Sequence, residues 1–390
     1  MDGRASKLCM RRLSTGSFLL VALVRVATAQ APPAGVRVPV SPAPAARAGA
    51  VQAPVSAQAP VAVPVRSSLA PTAPTVGIID YYGLNKVTRD RIQKTLGFKE
   101  GDPFPASKGN VEERLDEIPG IFESHLEAVC CDEGKIVLYV GIEERGAAHF
   151  DLREAPEGEV TLAPEIMALY RRYFDAFEQA LRRGSTAEDL THGHALMADP
   201  LVREIQLQFP AVVETHLGDL RNVMRNSADD EQRAIATFLI GYAPKKDQVA
   251  EDLQFALRDA DPGVRANAAR AIVALAVYAR LNAGSAIKLE PTWFIEMLNS
   301  LSWSDRERSL KALQILTEGR EAPMLEQLRN RALSALVEMS RWKTLEHALP
   351  AFVLTGRVAG LTEQQIQDAW TRGDRESVIA AALGSGKKTR

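Results

Sequence analysis

From Val76 onward the spacing of apolar positions changes period several times. Val76-Gly77-Ile78-Ile79-Asp80-Tyr81-Tyr82 is a short apolar run rich in β-branched and aromatic residues, and it predicts a strand. The period then lengthens to that of a helix. One helix is predicted from about Thr88 to Leu96, closed by Gly97, with Val87 and Ile92 spaced for a hydrophobic staple. A second runs from about Lys108 to Ile118, with Val111, Leu115 and Ile118 on one face and Pro119-Gly120 ending it. Two strands follow, Ser124 to Cys131 and Lys135 to Glu143, joined by Asp132-Glu133-Gly134; Ile136, Leu138, Val140 and Ile142 alternate as a half-buried strand does. Residues 76–145 therefore read as a small α+β domain of order β-α-α-β-β.

After a short acidic and Gly/Pro-containing connector at 146–162, the helical period holds over 163–384. Helices are predicted at 163–183, 200–226 (broken at Pro210), 229–241, 246–258, 262–281, 291–300, 305–318, 322–340, 343–357, 363–371 and 374–383. Ser304 with Glu307 and Thr362 with Gln365 are spaced as capping boxes. Short loops imply antiparallel neighbours, and helices arriving in pairs imply an all-α solenoid. The stretch Asp259 to Ala279 organises this half. Asp261 is placed to cap, Pro262 suits the first helical position, and Val264, Ala268, Ala271, Ile272, Leu275 and Ala276 recur at helical spacing. Worn copies begin at Asp229-Asp230-Glu231-Gln232-Arg233 and at Ser304-Asp305-Arg306-Glu307-Arg308.

Two resemblances rest on these residues. Asp261, Pro262, Val264, Arg265, Asn267, Ala268, Ala269, Arg270 and Ala271 resemble the second helix of a HEAT-type repeat. Together with Tyr242-Ala243-Pro244-Lys245-Lys246 and Ala335-Leu336-Val337-Glu338-Met339-Ser340-Arg341-Trp342, they resemble exported bacterial HEAT-repeat proteins of unassigned activity. Within 76–145, Gly83, Gly101-Asp102-Pro103-Phe104, Gly120-Ile121-Phe122 and the terminal Glu143-Glu144 resemble a polypeptide-transport-associated (POTRA) domain. That likeness implies a periplasmic setting, often beside outer-membrane barrels or division proteins, and binding of extended chains along a sheet edge. The physical basis is an unpaired strand offering its N–H and C=O groups.

Composition adds a compartment. Arg11 and Arg12, the apolar run Phe18 to Val24 and Ala27-Thr28-Ala29 before Gln30 form a secretory signal pattern over 1–29, with an uncleaved N-terminal anchor as the alternative. Residues 30–75 are nearly all Pro, Ala, Val, Ser and Gln and read as a disordered linker; residues 385–390 read as a disordered tail. The chain is therefore expected to be exported, to the periplasm or cell envelope, with peripheral or N-terminal membrane association. The net charge of −2, about −6 once the five Lys/Arg and one Asp of the leader are removed, disfavours nucleic acid as a partner. Beyond the leader only Cys130 and Cys131 remain. They are read as a strand pair with one thiol buried and one exposed, the alternatives being a vicinal disulfide or intermolecular pairing.

Candidate chemistry is sparse. His192 and His194, with Glu188 and Asp189 upstream, form the one cluster of metal-ligand character, since residues i and i+2 of an extended segment point the same way. A polar connector where histidines simply hydrogen-bond is the competing reading. His216 and His347 read as solitary packed residues. Arg265 reads as a ladder residue paired with acids such as Asp259 and Asp261, with Asn267 and Arg270 as its neighbours on a candidate binding surface. Trp293, Trp303, Trp342 and Trp370 read as core between repeats. No phosphate loop, nucleophile elbow or Cys/His pairing is present, and the His-Glu dipeptides of HEAT-like di-iron hydroxylases are missing. The export signal also argues against a phycobilin lyase. The expected function is a non-enzymatic scaffold, without cofactor, that holds polypeptide partners of the envelope. The alternatives are an accessory component of envelope assembly or secretion, and a metal-dependent enzyme centred on His192 and His194.

Overall fold

The computed structural model describes residues 73–385; the leader, most of the Pro/Ala-rich linker and residues 386–390 lie outside it. The expected order holds: β1 (Val76–Tyr82), α1 (Arg89–Leu96), α2 (Lys108–Asp116), β2 (Ile121–Asp132) and β3 (Lys135–Glu144). They form a mixed sheet of order β1-β3-β2, with β1 parallel and β2 antiparallel to the central β3. One sheet face is covered by α1 and α2. There Ile92, Leu96, Val111 and Leu115 pack on Val76, Ile79, Leu126, Leu138 and Val140. Gly97 closes α1 at φ 78°, in the left-handed region that glycine enters without a Cβ penalty. Val87 and Ile92 share this core, as the staple requires.

The helical half begins with α3 (Pro164–Arg182). After a hairpin of two-residue strands, β4 (Glu188–Asp189) and β5 (Leu196–Met197), come α4 (Pro200–Gln206), α5 (Phe209–Asn226), α6 (Asp230–Ile240) and a 3-10 turn at Lys246–Gln248. Then follow α7 (Ala250–Ala256), α8 (Pro262–Leu281), α9 (Thr292–Met297), α10 (Trp303–Leu316), α11 (Ala322–Ser340), α12 (Leu345–Val358), α13 (Glu363–Thr371) and α14 (Arg375–Ser385). In one row α6, α8, α10, α12 and α14 lie side by side in chain order. The intervening helices form a second row, α5 beside α7 and α9 beside α11. The break in 200–226 falls at residues 207–208, which leaves Pro210 in the first turn of α5, where its missing N–H is harmless.

Two local expectations change. Thr362 and Gln365 do form a capping box, but Ser304 lies inside α10, whose N-cap is Ser302; Glu307 pairs instead with Lys311 one turn on. Strand β3 is not half-buried. Ile136, Leu138, Val140 and Ile142 face α1 and α2, while Val137, Tyr139 and Gly141 are buried against the helical rows, so both faces are covered. A strand with a helical layer on each side loses the apolar/polar alternation.

The connector runs as a strap across the helices. Arg153 N–H donates to Arg258 O at 2.8 Å, and Ala228 N–H donates to Gly158 O at 2.7 Å. A Cβ on Gly158 would sit 2.4 Å from Asn226 O, so the strap approaches this closely only as glycine.

Candidate functional site

The repeat-motif residues are structural. Arg233, Arg265 and Arg306 occupy the same place in α6, α8 and α10, four residues after the N-caps Asp229, Asp261 and Ser302. Arg233 clasps Asp259 and Arg265 clasps Asp305, all four side chains buried; Arg265 Nη1–H also donates to the Asp259 and Ala260 carbonyls. The ladder exists, displaced by one repeat from expectation. Asp259 serves the preceding arginine, and Asp261 caps α8 by accepting from Val264 N–H at 2.9 Å. Asn267 Nδ2–H donates to Ala234 O, which fastens α8 to α6. The third rung, Arg306, forms no ion pair among the described residues; its Nε–H donates to Ser300 O, the Glu338 carboxylate of α11 favours its charge, and its guanidinium lies 4.3 Å over the Tyr82 ring of β1.

His192, His194 and Glu188 share the β4–β5 hairpin but do not converge. Glu188 is bound by Arg270. Burial opposes the charge of that guanidinium, and the Glu188 carboxylate with the Tyr242 and Tyr173 hydroxyls more than offsets it, which raises its pKa. His192 faces Asp189 at 3.4 Å, and the two imidazole centroids are 6.2 Å apart. Nδ1 of His194 accepts from the Lys246 ammonium at 2.8 Å. Burial and the Lys246 charge push His194 down to about 4, and burial alone brings Lys246 down to about 8. A neutral imidazole accepting from a buried amine is a structural pair. His216 sits at a kink inside α5.

Sheet and helical rows meet through aromatic side chains. Tyr139 of β3 stacks on Trp303 at 4.9 Å and lies 4.8 Å from Trp342, and its hydroxyl meets His347 Nδ1 at 2.5 Å. Tyr82 Oη–H donates to Leu301 O at 2.8 Å. Trp303, Trp342 and His347 thus pack against the sheet, whereas Trp293 lies under the Arg258 guanidinium and Trp370 against Phe352. Asp80 accepts from Lys343 N–H, and burial pushes its carboxyl up. A Cβ on Gly141 would fall 2.6 Å from Leu301 O and 2.7 Å from the Tyr82 ring, so the helical layer seats only on glycine.

This docking leaves a cleft at one end of the sheet. A cavity of about 840 Å³ is walled by Phe122, Glu123 and His125 of β2 and Glu143 of β3, roofed by the strap at Phe150 and Leu152, and floored by Leu301 with the starts of α8 and α10. A second cavity, about 510 Å³, continues from Glu143, Arg145 and Leu301 toward Glu338 of α11. Both volumes are in the range of binding clefts. Phe122 is 57% exposed and Leu152 45%. Glu123 and Glu143 are register partners, like charges directly opposite one another. Burial raises Glu143, relieved by His149 and worsened by Asp151. The strand walling this cleft is also an edge: among the described residues the 12-residue β2 has only β3 beside it. Leu126 turns its N–H away from β3, where the Glu112 carboxylate accepts it at 2.6 Å, and Lys108 and His125 hold that carboxylate.

The expected exposed sheet edge is present as β2, whereas the cleft beside it was not foreseen. Its signal is faint: an aromatic at Phe122 beside Glu123, and Glu143 on a strand otherwise apolar. Cys130, on the exposed end of β2, is disulfide-bonded, which departs from the expected exposed thiol; the Cys131 side chain lies outside the described residues. Among the described residues no group of three or more His, Cys, Asp or Glu is arranged to hold a metal ion, and no helix is long and apolar enough to cross a membrane. No protein-family model matches the chain, and neither a curated protein nor a solved structure matches it.

Proposed function

We propose that the protein is an exported, non-enzymatic scaffold that holds polypeptide partners of the cell envelope. In this reading a POTRA-like domain is fixed on a HEAT-like solenoid, and binding uses backbone pairing and side-chain complementarity, with no bond chemistry and no cofactor. The carrying observation is β2, a 12-residue strand that among the described residues is paired on one side only and adjoins the cleft. An edge of this kind takes an added strand through its free N–H and C=O groups, and neighbouring cavities select side chains. The solenoid's part is to hold the sheet rigid through Trp303, Trp342 and Tyr139. An accessory role in envelope assembly or secretion would use the same edge.

The test is site-specific photo-cross-linking in cells. With benzoylphenylalanine at the exposed Ala128 of β2, discrete polypeptide adducts are expected, and none with the same group at Glu178 on α3. Adducts equal at both positions, or absent from Ala128, would sink the reading.

A further inference from the structure

We infer that the second cavity, between the turn after β1, the end of β3 and α11, binds a small zwitterion: an α-amino acid with an apolar side chain, its carboxylate against the Arg306 guanidinium and its ammonium against the Glu338 carboxylate. No β2 residue lines this cavity, so the site is separate from the edge on which polypeptide binding rests. The arginine ladder has a gap here. Asp259, the acid that clasps Arg233, stands two positions before the N-cap of α8; the same position before α12 is Trp342. Arg306 is left 4% exposed with one hydrogen bond, from Nε–H to Ser300 O, and its Nη1 has no acceptor among the described residues. A guanidinium carries a fixed charge and five donors, so burying it in this way is costly unless a counter-ion joins it. Glu338, on the same cavity, favours that charge only from beyond ion-pair distance. One of its oxygens accepts from Gly83 N–H at 3.0 Å; burial pushes its pKa up and pulls that of Arg306 down, so each charge lacks a counter-ion in contact. The lining also decides the net charge of the ligand. Lys86, Arg145 and Arg306 stand against Glu143, Glu144 and Glu338, three against three, and a ligand with net charge gains little. Glu144 is already held by the N–H groups of Asn85, Lys86 and Val87, His149 serves Glu143, Arg145 lies over the Phe122 ring and Lys86 is in solvent. Arg306 and Glu338 remain, and a zwitterion gives each a partner while adding no net charge. Leu84, Leu301 and Val337 line the rest of the cavity and give an apolar side chain a place to leave water.

The experiment is isothermal titration calorimetry of the whole chain with L-alanine, L-valine and L-leucine, then with the amide and the deaminated acid of whichever binds most tightly. The amide lacks the carboxylate and the deaminated acid lacks the ammonium. Each analogue is expected to bind about tenfold more weakly than the amino acid, the size of one charge-assisted contact. Arg306→Met should abolish amino-acid binding yet unfold in urea no earlier than the ligand-free wild type, because it removes a buried charge that has no ion-pair partner. Glu338→Gln should bind the amino acid and its deaminated acid alike. Glu165→Gln, on α3, should change nothing. No binding of any of the three amino acids, equal binding of the amino acid and either analogue, or an unchanged preference in Glu338→Gln would overturn the site. So would a loss of stability in Arg306→Met, which would make the guanidinium a structural strut. None of these outcomes touches the adducts at Ala128, so failure of this site and failure of polypeptide binding are told apart.

Discussion

Gly141 carries more of the fold than its size indicates. It permits the α9–α10 loop to lie on β3, and any Cβ there would meet Leu301 O and the Tyr82 ring below 3 Å. Gly141→Ala should therefore destabilise by about 1–3 kcal/mol, the usual cost of overpacking a close contact. Gly109→Ala, in the exposed first turn of α2 with nothing within 4 Å of a new Cβ, should be neutral or stabilising by about 0.5–1 kcal/mol. Urea unfolding of the two variants checks this; equal midpoints would show that the layers adjust freely. The arginine ladder makes a second residue-scale prediction. Asp305→Ala strands the buried Arg265 charge and should cost about 3–5 kcal/mol, whereas the double change Arg265→Met with Asp305→Leu should recover most of it. A double variant no better than Asp305→Ala would mean the pair contributes more than mutual neutralisation. The ladder was legible from the Val264-Arg265 pair, but its register was not, because Asp259, Asp261 and Asp305 are equivalent by charge and only the stacking of α8 on α10 selects among them.

Among elements, the helices were the most readable, since caps and apolar stripes are local: α3, α8, α11 and α13 start and stop within a residue or two of where spacing puts them. β3 was misread for the opposite reason. Its run Ile136-Val137-Leu138-Tyr139-Val140 is apolar at every position, and that continuity, not the alternation within it, carries the information that a second layer lies on the far face. The β4–β5 hairpin escaped notice because two-residue strands have no period. For β2 the element-scale question is how an exposed edge avoids indiscriminate pairing, and Glu112 supplies the answer. Its carboxylate covers the outward N–H of Leu126 as a neighbouring strand would. Replacing it by alanine should raise amide exchange at Leu126 roughly tenfold or more, the loss of one charge-assisted hydrogen bond. Unchanged exchange would assign the protection of the edge to some other group.

For the whole molecule, what matters is that the sheet and the helical rows share one core: Tyr82, Val137 and Tyr139 belong to the same apolar cluster as Trp303, Trp342 and Leu336. The seam is also where acid should act. Burial lowers the pKa of His347, so the folded state favours the neutral ring. A group whose folded pKa is depressed stabilises fully above its unfolded value of about 6.5 and loses that contribution as pH falls toward the folded value. On protonation both ring nitrogens are donors, so the Tyr139 hydroxyl can then only accept from Nδ1. Glu307 and Glu346 favour the charged ring and Lys311 opposes it, so neighbouring carboxylates temper the effect without reversing its direction. Asp80, at the same seam, works the other way: its carboxyl is raised by burial, and acid relieves it. The difference between wild type and His347→Gln isolates the histidine. Wild type should lose stability relative to that variant between pH 7 and pH 5, with Trp303 and Trp342 fluorescence changing along with amide exchange at Val137 and Tyr139. Parallel stability curves over that range would place the pH dependence outside the seam, and His347 would then be a packing residue alone.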